Sequence, residues 1–177
     1  VPWRASLDEP AFVRAVTRAQ AYIAAGDTYQ VNLSTRLEVP AVDPLAAYEA
    51  MRAGNPSPYM GFARLPGAAL ACGSPELLVS VDAGRVASRP IAGTRPRGVD
   101  SVADRLLGES LLASAKDRRE HELVVERVRE ALSGCATTLR VDGEPRLLRL
   151  AYVQHLATRV QAELRAGVSD HDLVRAL

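Results

Sequence analysis

The sequence predicts an α+β fold, with mainly antiparallel sheets and outer helices. Three observations predict it. Short strand-like segments crowd between residues 59 and 89, separated by Pro-Gly, Gly-Ser-Pro and Asp-Ala-Gly breaks. Such spacing marks antiparallel hairpins. A second group of strand-like segments lies at 137–163. Helical periodicity falls before, between and after these runs and not between successive strands, an order that belongs to α+β and not to regular βαβ winding.

Taken in order, residues 6–25 read as a helix. Ser6 and Glu9 form a capping box, Pro10 sits in the first turn, and Gly26 is the stop. Residues 29–39 alternate, with Val31, Leu33, Thr35, Leu37 and Val39 on one side and Gln30, Asn32, Ser34 and Arg36 on the other. That pattern predicts a strand with one polar face. A short helix at 43–53 precedes strands near 59–65, 68–72, 76–82 and 85–89, read as one meander. A short helix at 101–107 and a long one at 110–132 follow, the latter with His121, Val124, Val125, Val128 and Leu132 on one stripe. Strands are expected near 137–141, 146–150 and 152–163, and the final VSDHDLVRAL begins a helix.

The chain has 177 residues, 47% apolar and 24% charged, with a net charge of +1. That balance suits one soluble core. It gives no reason to expect nucleic-acid or membrane binding. No apolar run reaches the roughly 18 residues of a membrane span, and the start, VPWRASLDEP, lacks a signal-peptide pattern. Cys72 and Cys135 show neither metal spacing nor a disulfide framework. They are expected to be reduced thiols of a cytoplasmic protein. Lys116 is the single lysine among 22 basic residues.

Several residues carry possible chemistry, each beside a plainer reading. Gln30, Asn32 and Ser34 line either a solvated sheet face or a polar cleft. Glu76, in GSPELLVS, opens a strand although Glu is depleted in strands. It is either an exposed strand-end carboxylate or a general acid. In KDRREHE, Lys116 and Glu120 are four residues apart, either a surface pair or, for Glu120, a Mg²⁺ ligand. His155, in VQHLATRV, is either a hydrogen-bonded core histidine or a substrate-facing one. The stretch RPIAGTRPRG sets three arginines and two prolines around a small-residue turn, Ala92-Gly93-Thr94.

Together and in order, GDTYQVNLS, NPSPYM, GSPELL, RPIAGTRPRG, ASAKDRREHELVV and VQHLATRV resemble the chorismate-binding domain of the chorismate-utilising enzymes. These include the large subunits of anthranilate synthase and aminodeoxychorismate synthase, and the isochorismate and salicylate synthases. The resemblance covers nearly the whole chain, 1–177. It implies an antiparallel sandwich with outer helices and a Mg²⁺-dependent site for chorismate.

Position by position, it implies substrate contacts at Ile91, Ala92, Gly93, Thr94 and Gln30, and a metal ligand at Glu120. Glu76 matches the glutamate proposed to protonate the departing 4-hydroxyl. His155 matches the histidine near that group, and Lys116 a lysine of the same site. Pro58, Tyr59 and Met60 resemble a segment that contacts a feedback effector.

The branch markers are mixed. Gln30 stands where water-using members carry a lysine base, and an amide cannot act as a base near neutral pH. Ala92 stands where aminodeoxychorismate synthases often carry a lysine. VVERVREALSGCA and VQHLAT look closer to isochorismate synthases, and YQVNLS to aminodeoxychorismate synthase. Residues at the reacting centre weigh more than scaffold residues, so the resemblance implies amination of chorismate at C2, with a separate glutamine amidotransferase subunit supplying ammonia. Aminodeoxychorismate synthase, isochorismate synthase and a non-catalytic binding domain are the alternatives. The family's later substrate clamp and second Glu ligand have no counterpart up to Leu177. The chain is therefore expected to be a partial domain, inactive alone.

Overall fold

The computed structural model describes residues 3–40 and 42–177, which form two units, Val1–Asp43 and Pro44–Leu177. The first holds helix α1 (Glu9–Ala25) and a two-residue ladder between β1 (Arg4–Ala5) and β2 (Leu37–Glu38). Asp8, not Ser6, caps α1: its Oδ1 accepts from Ala11 N at 2.8 Å. The Ser6 hydroxyl is occupied elsewhere, accepting from Arg36 N at 2.9 Å. Gly26 ends the helix as expected, at φ 83°, with its N–H on the Ile23 carbonyl. The expected strand 29–39 is corrected to Leu37–Glu38 alone. Alternation makes a strand only where a partner ladder exists, and β1 offers two residues.

In the second unit, α2 (Pro44–Gly54) covers one face of the hairpin β3 (Tyr59–Leu65)–β4 (Ala68–Ser74), with the Tyr48 and Phe62 ring centroids 5.5 Å apart. A second hairpin joins β5 (Leu77–Asp82) to β6 (Arg85–Arg89). Its turn residues Ala83 and Gly84 both have positive φ, 48° and 80°, the mirror-image turn that matches strand twist. The expected single meander is thus two hairpins in separate sheets, because β4 and β5 do not pair. Pro75, which has no N–H to give a ladder, marks the break between them.

RPIAGTRPRG, expected to turn at Ala92-Gly93-Thr94, is mostly strand β7 (Ile91–Pro96). Helix α3 (Ser101–Ala113) and helix α4 (Ala115–Cys135) replace the expected 101–107 and 110–132. The boundary is Ser114, extended at φ −71°, ψ 108°, which caps α4 by accepting from Asp117 N at 3.3 Å. Strands β8 (Ala136–Val141), β9 (Arg146–Arg149), β10 (Val153–Ala157) and β11 (Val160–Leu164) follow. Helix α5 (Asp170–Ala176) closes the chain with a Ser169–Asp172 capping box.

All strand pairs are antiparallel, in orders β7-β10-β9 and β5-β6-β11-β8 for the two larger sheets. The chain passes between these sheets four times, most abruptly at Pro90 and at Thr158-Arg159, so the expected strand 152–163 is two strands. These two crossings are tied together: Thr158 N donates to the Pro90 carbonyl at 3.3 Å. The buried Thr158 hydroxyl also lies 2.7 Å from His121 Nε2.

Val86, Leu132, Ala136, Val160, Ala162 and Leu173 form the core beneath the four-stranded sheet. Leu111 and Leu156, both fully buried, fill the space under β7 and β10. The result is mixed helix and antiparallel sheet, as the sequence predicts. None of the described helices is long and apolar enough to cross a membrane.

Candidate active site

Strand β7 organises the site. Its register against β10 pairs Thr94 with His155 and Ala92 with Leu156, so Gly93 is an extra, bulged residue. Gly93 has φ 66°, a conformation that costs other residues energy. Space is short as well. A Cβ there would lie 3.0 Å from both Asp117 Cβ and Leu111 Cδ1. The bulge is therefore pressed against the α3–α4 junction, where any side chain at position 93 is strained.

The bulge aims the Gly93 carbonyl at His155, whose half-buried ring sets Nδ1 3.0 Å from that oxygen. The Thr94 hydroxyl is 3.1 Å from the same nitrogen. A carbonyl can only accept, so the hydrogen bond to Gly93 assigns the proton to Nδ1. In the neutral ring Nε2 then keeps its lone pair.

Glu76 lies immediately before β5, and its Oε1 accepts from Ile91 N, the first amide of β7, at 3.0 Å. The side chain remains exposed. Glu76, Ile91, Ala92, Gly93, Thr94 and His155 are thus brought together along β7 by three local features: a pre-strand carboxylate, a bulge and a cross-strand pair.

The arginines of RPIAGTRPRG brace this strand. Arg97 makes a two-pronged pair with Asp104, at 2.7 and 2.9 Å, and also donates to the Leu150 carbonyl. Gly98 N adds a third donor to Asp104. These bonds, Arg97 first, pull the Asp104 pKa down to about 2. Arg89 donates to Tyr59 Oη at 3.3 Å and lies over its ring. Arg95 spans the Asp117 carboxylate (2.9 Å) and the Thr94 carbonyl (2.8 Å).

Asp117 is the residue that sequence reasoning passed over. It is 9% exposed, and hydrogen bonding to Ser114, then to Arg95, holds its pKa below the usual range. The signal was present: Ser-x-x-Asp at 114–117 is a helix cap, hidden by reading one helix across 110–132. Asp117 also docks α4 on the bulge, and Lys116 and Glu120 ride on that helix. Lys116 is exposed and Glu120 half-buried.

Mg²⁺ favours hard oxygen donors, usually one or two carboxylates completed by water and an anionic substrate. Glu120 suits such a set. Among the described residues no three His, Cys, Asp or Glu side chains gather as a metal cluster.

Gln30 is exposed on irregular backbone of the first unit, not on a strand face. Pro58 and Met60 line a cleft of about 490 Å³ with Tyr48, Arg52, Pro56 and Ser57. Tyr59 points to the other face of β3 and meets Arg89, so the three expected effector residues do not share one surface. Cys72 and Cys135 are free thiols, the first exposed.

Likeness to known proteins places the chain in a family. Residues 1–177 match the family described as chorismate binding enzyme, and the chain belongs to that family. It is 40% identical to anthranilate synthase component 1 of Thermus thermophilus over 99% of this chain and 38% of that protein. It is 38% identical to aminodeoxychorismate synthase component 1 of Bacillus subtilis over 98% of this chain and 37% of that protein. A Bacillus anthracis structure described as a 2,3-dihydroxybenzoate-specific isochorismate synthase superposes with TM-score 0.88 at 33% identity, over 99% of this chain and 49% of that one. Anthranilate synthase component I of Streptococcus pneumoniae gives TM-score 0.87 at 27% identity, over 99% and 39%. The chain spans less than two fifths of the length of these two curated relatives.

Proposed function

We propose that this chain is the part of an aminating chorismate enzyme, of anthranilate synthase component I type, that holds the reacting end of chorismate. The observation that carries the reading is the Glu76–Ile91 hydrogen bond of 3.0 Å, which fixes a carboxyl group at the head of the Ala92-Gly93-Thr94 strand.

Chemistry follows from the residues. The substrate's 4-hydroxyl is a poor leaving group and needs a proton as its bond to carbon breaks. Glu76 in its acid form donates that proton and is left as carboxylate. His155, oriented through Nδ1, presents Nε2 to the same oxygen. The bulge at Gly93 and the small Ala92 let backbone approach a flat dicarboxylate. Mg²⁺, held by Glu120 when bound, would neutralise a substrate carboxylate. Ammonia then adds at C2 as the 4-oxygen departs.

Ala92 favours this branch over one with a covalent lysine, because a methyl group has no nucleophile. The relatives are named as component 1, which supports a partner component for the whole enzyme; a glutamine amidotransferase fits the need for ammonia. Isochorismate formation is the second reading, supported by the 0.88 TM-score to an isochorismate synthase.

Incubation of the full-length protein with chorismate and Mg²⁺, with and without ammonia, separates the readings. Fluorescent anthranilate that appears only with ammonia is the expected product. Isochorismate formed without ammonia rejects the proposal in favour of the second reading, and aminodeoxychorismate moves the chain to the sibling amination.

A further inference from the structure

The ion pair Asp117–Arg95 lies beside the Gly93 bulge, at the start of α4. Arg95 Nη2 binds Asp117 at 2.9 Å and Nη1 binds the Thr94 carbonyl at 2.8 Å. The same Asp117 side chain is what a Cβ on Gly93 would strike, at 3.0 Å. One carboxylate thus presses on the bulge from below and, through Arg95, holds the next peptide group. The two peptide groups so restrained are those whose carbonyl and side chain meet His155 Nδ1, at 3.0 and 3.1 Å.

The pair is well secured. Its side chains are 31% and 12% exposed, and Asp117 lies in the first turn of α4, where the helix dipole favours an anion. Guanidinium is suited to the task, because its planar fork can hold two acceptors in fixed directions, which a lysine ammonium cannot.

We propose that Asp117 and Arg95 are positioning residues that set the Gly93 carbonyl and thereby the ring orientation and Nδ1–H tautomer of His155. The inference rests on the proposed catalytic role of His155 only for its effect on turnover; the effect on the ring stands on the geometry alone. Without the pair, the bulge loses its anchor, Gly93 O drifts, and Nε2–H becomes competitive with Nδ1–H. A neutral Nε2–H ring would offer no lone pair to accept a hydrogen bond from the departing water.

The test uses the full-length protein with ¹⁵N-labelled histidine; residues 1–177 contain three histidines. Imidazole ¹⁵N shifts report the tautomer of His155, assigned by His155→Gln. Asp117→Asn and, independently, Arg95→Gln should move His155 from Nδ1–H toward a mixture. Both should lower kcat for chorismate roughly 10–100-fold, the usual size for a group that orients a functional side chain, with KM nearly unchanged. Arg95→Lys should restore the charge but not the tautomer, since it cannot span both acceptors. Unchanged His155 shifts in the Arg95→Gln protein would overturn the proposal, and so would a full restoration by Arg95→Lys. Absence of chorismate turnover in the wild-type protein would instead strike the functional reading, while the shifts would still decide the positioning role.

Discussion

Replacing Gly93 by alanine tests the central claim that β7 is a bulged strand held against the α3–α4 junction. Two costs are legible. An L-residue at φ 66° pays about 1–2 kcal/mol for left-handed backbone. The new methyl at 3.0 Å from Asp117 Cβ and Leu111 Cδ1 overpacks a buried seam, typically about 1–3 kcal/mol. Together they predict a loss of about 2–5 kcal/mol, or roughly 5–15 °C in Tm for a protein of this size. Thermal and urea unfolding of the Gly93→Ala protein would measure it. Gly134→Ala is the control: this glycine lies inside α4 with nothing within 4 Å of its would-be Cβ. That change should stabilise by about 0.5–1 kcal/mol. A Gly93→Ala loss below about 1 kcal/mol, or one equal and of the same sign at both positions, would refute the bulge argument.

Asp104, with its pKa lowered from 3.8 to about 2, contributes stability that is present above pH 3.8 and disappears as pH falls toward 2. The Tm gap between wild type and Asp104→Asn should therefore close across that window; a gap that stays constant from pH 5 to 2 counts against the Arg97–Asp104 clamp. Leu132 is fully buried in the core cluster, so Leu132→Ala should cost about 2–5 kcal/mol in chemical denaturation, and a cost under about 1 kcal/mol would misplace the core. Glu120→Gln should raise the Mg²⁺ concentration needed for half-maximal chorismate turnover at least tenfold, in the range of lost metal-site partners; an unchanged Mg²⁺ titration removes Glu120 from the metal site.

Local signals in the chain carried well wherever structure depends on near neighbours. Gly26 stops α1, the Asp-Ala-Gly turn at 82–84 makes its hairpin, and strand 59–65 falls where alternation puts it. The motif order was enough to point to the family, since residue types at fixed spacing survive without knowledge of packing. Misreadings cluster where a partner distant in sequence decides. Residues 29–39 alternate like a strand but find only a two-residue ladder. RPIAGTRPRG reads as a turn because two prolines flank its small residues, yet β10, some 60 residues on, recruits it as strand and turns Gly93 into a bulge.

The candidate site residues divide along the same line. The resemblance in motif order is what singles out Glu76, Ala92, Gly93, Thr94 and His155. That Glu76 reaches the Ile91 amide, that His155 Nδ1 meets the Gly93 carbonyl, and that Asp117 pairs with Arg95 beside the bulge is decided by tertiary structure only. Hydrogen bonds between strands and helices far apart in sequence depend on register, and a single bulged residue resets which side chains meet.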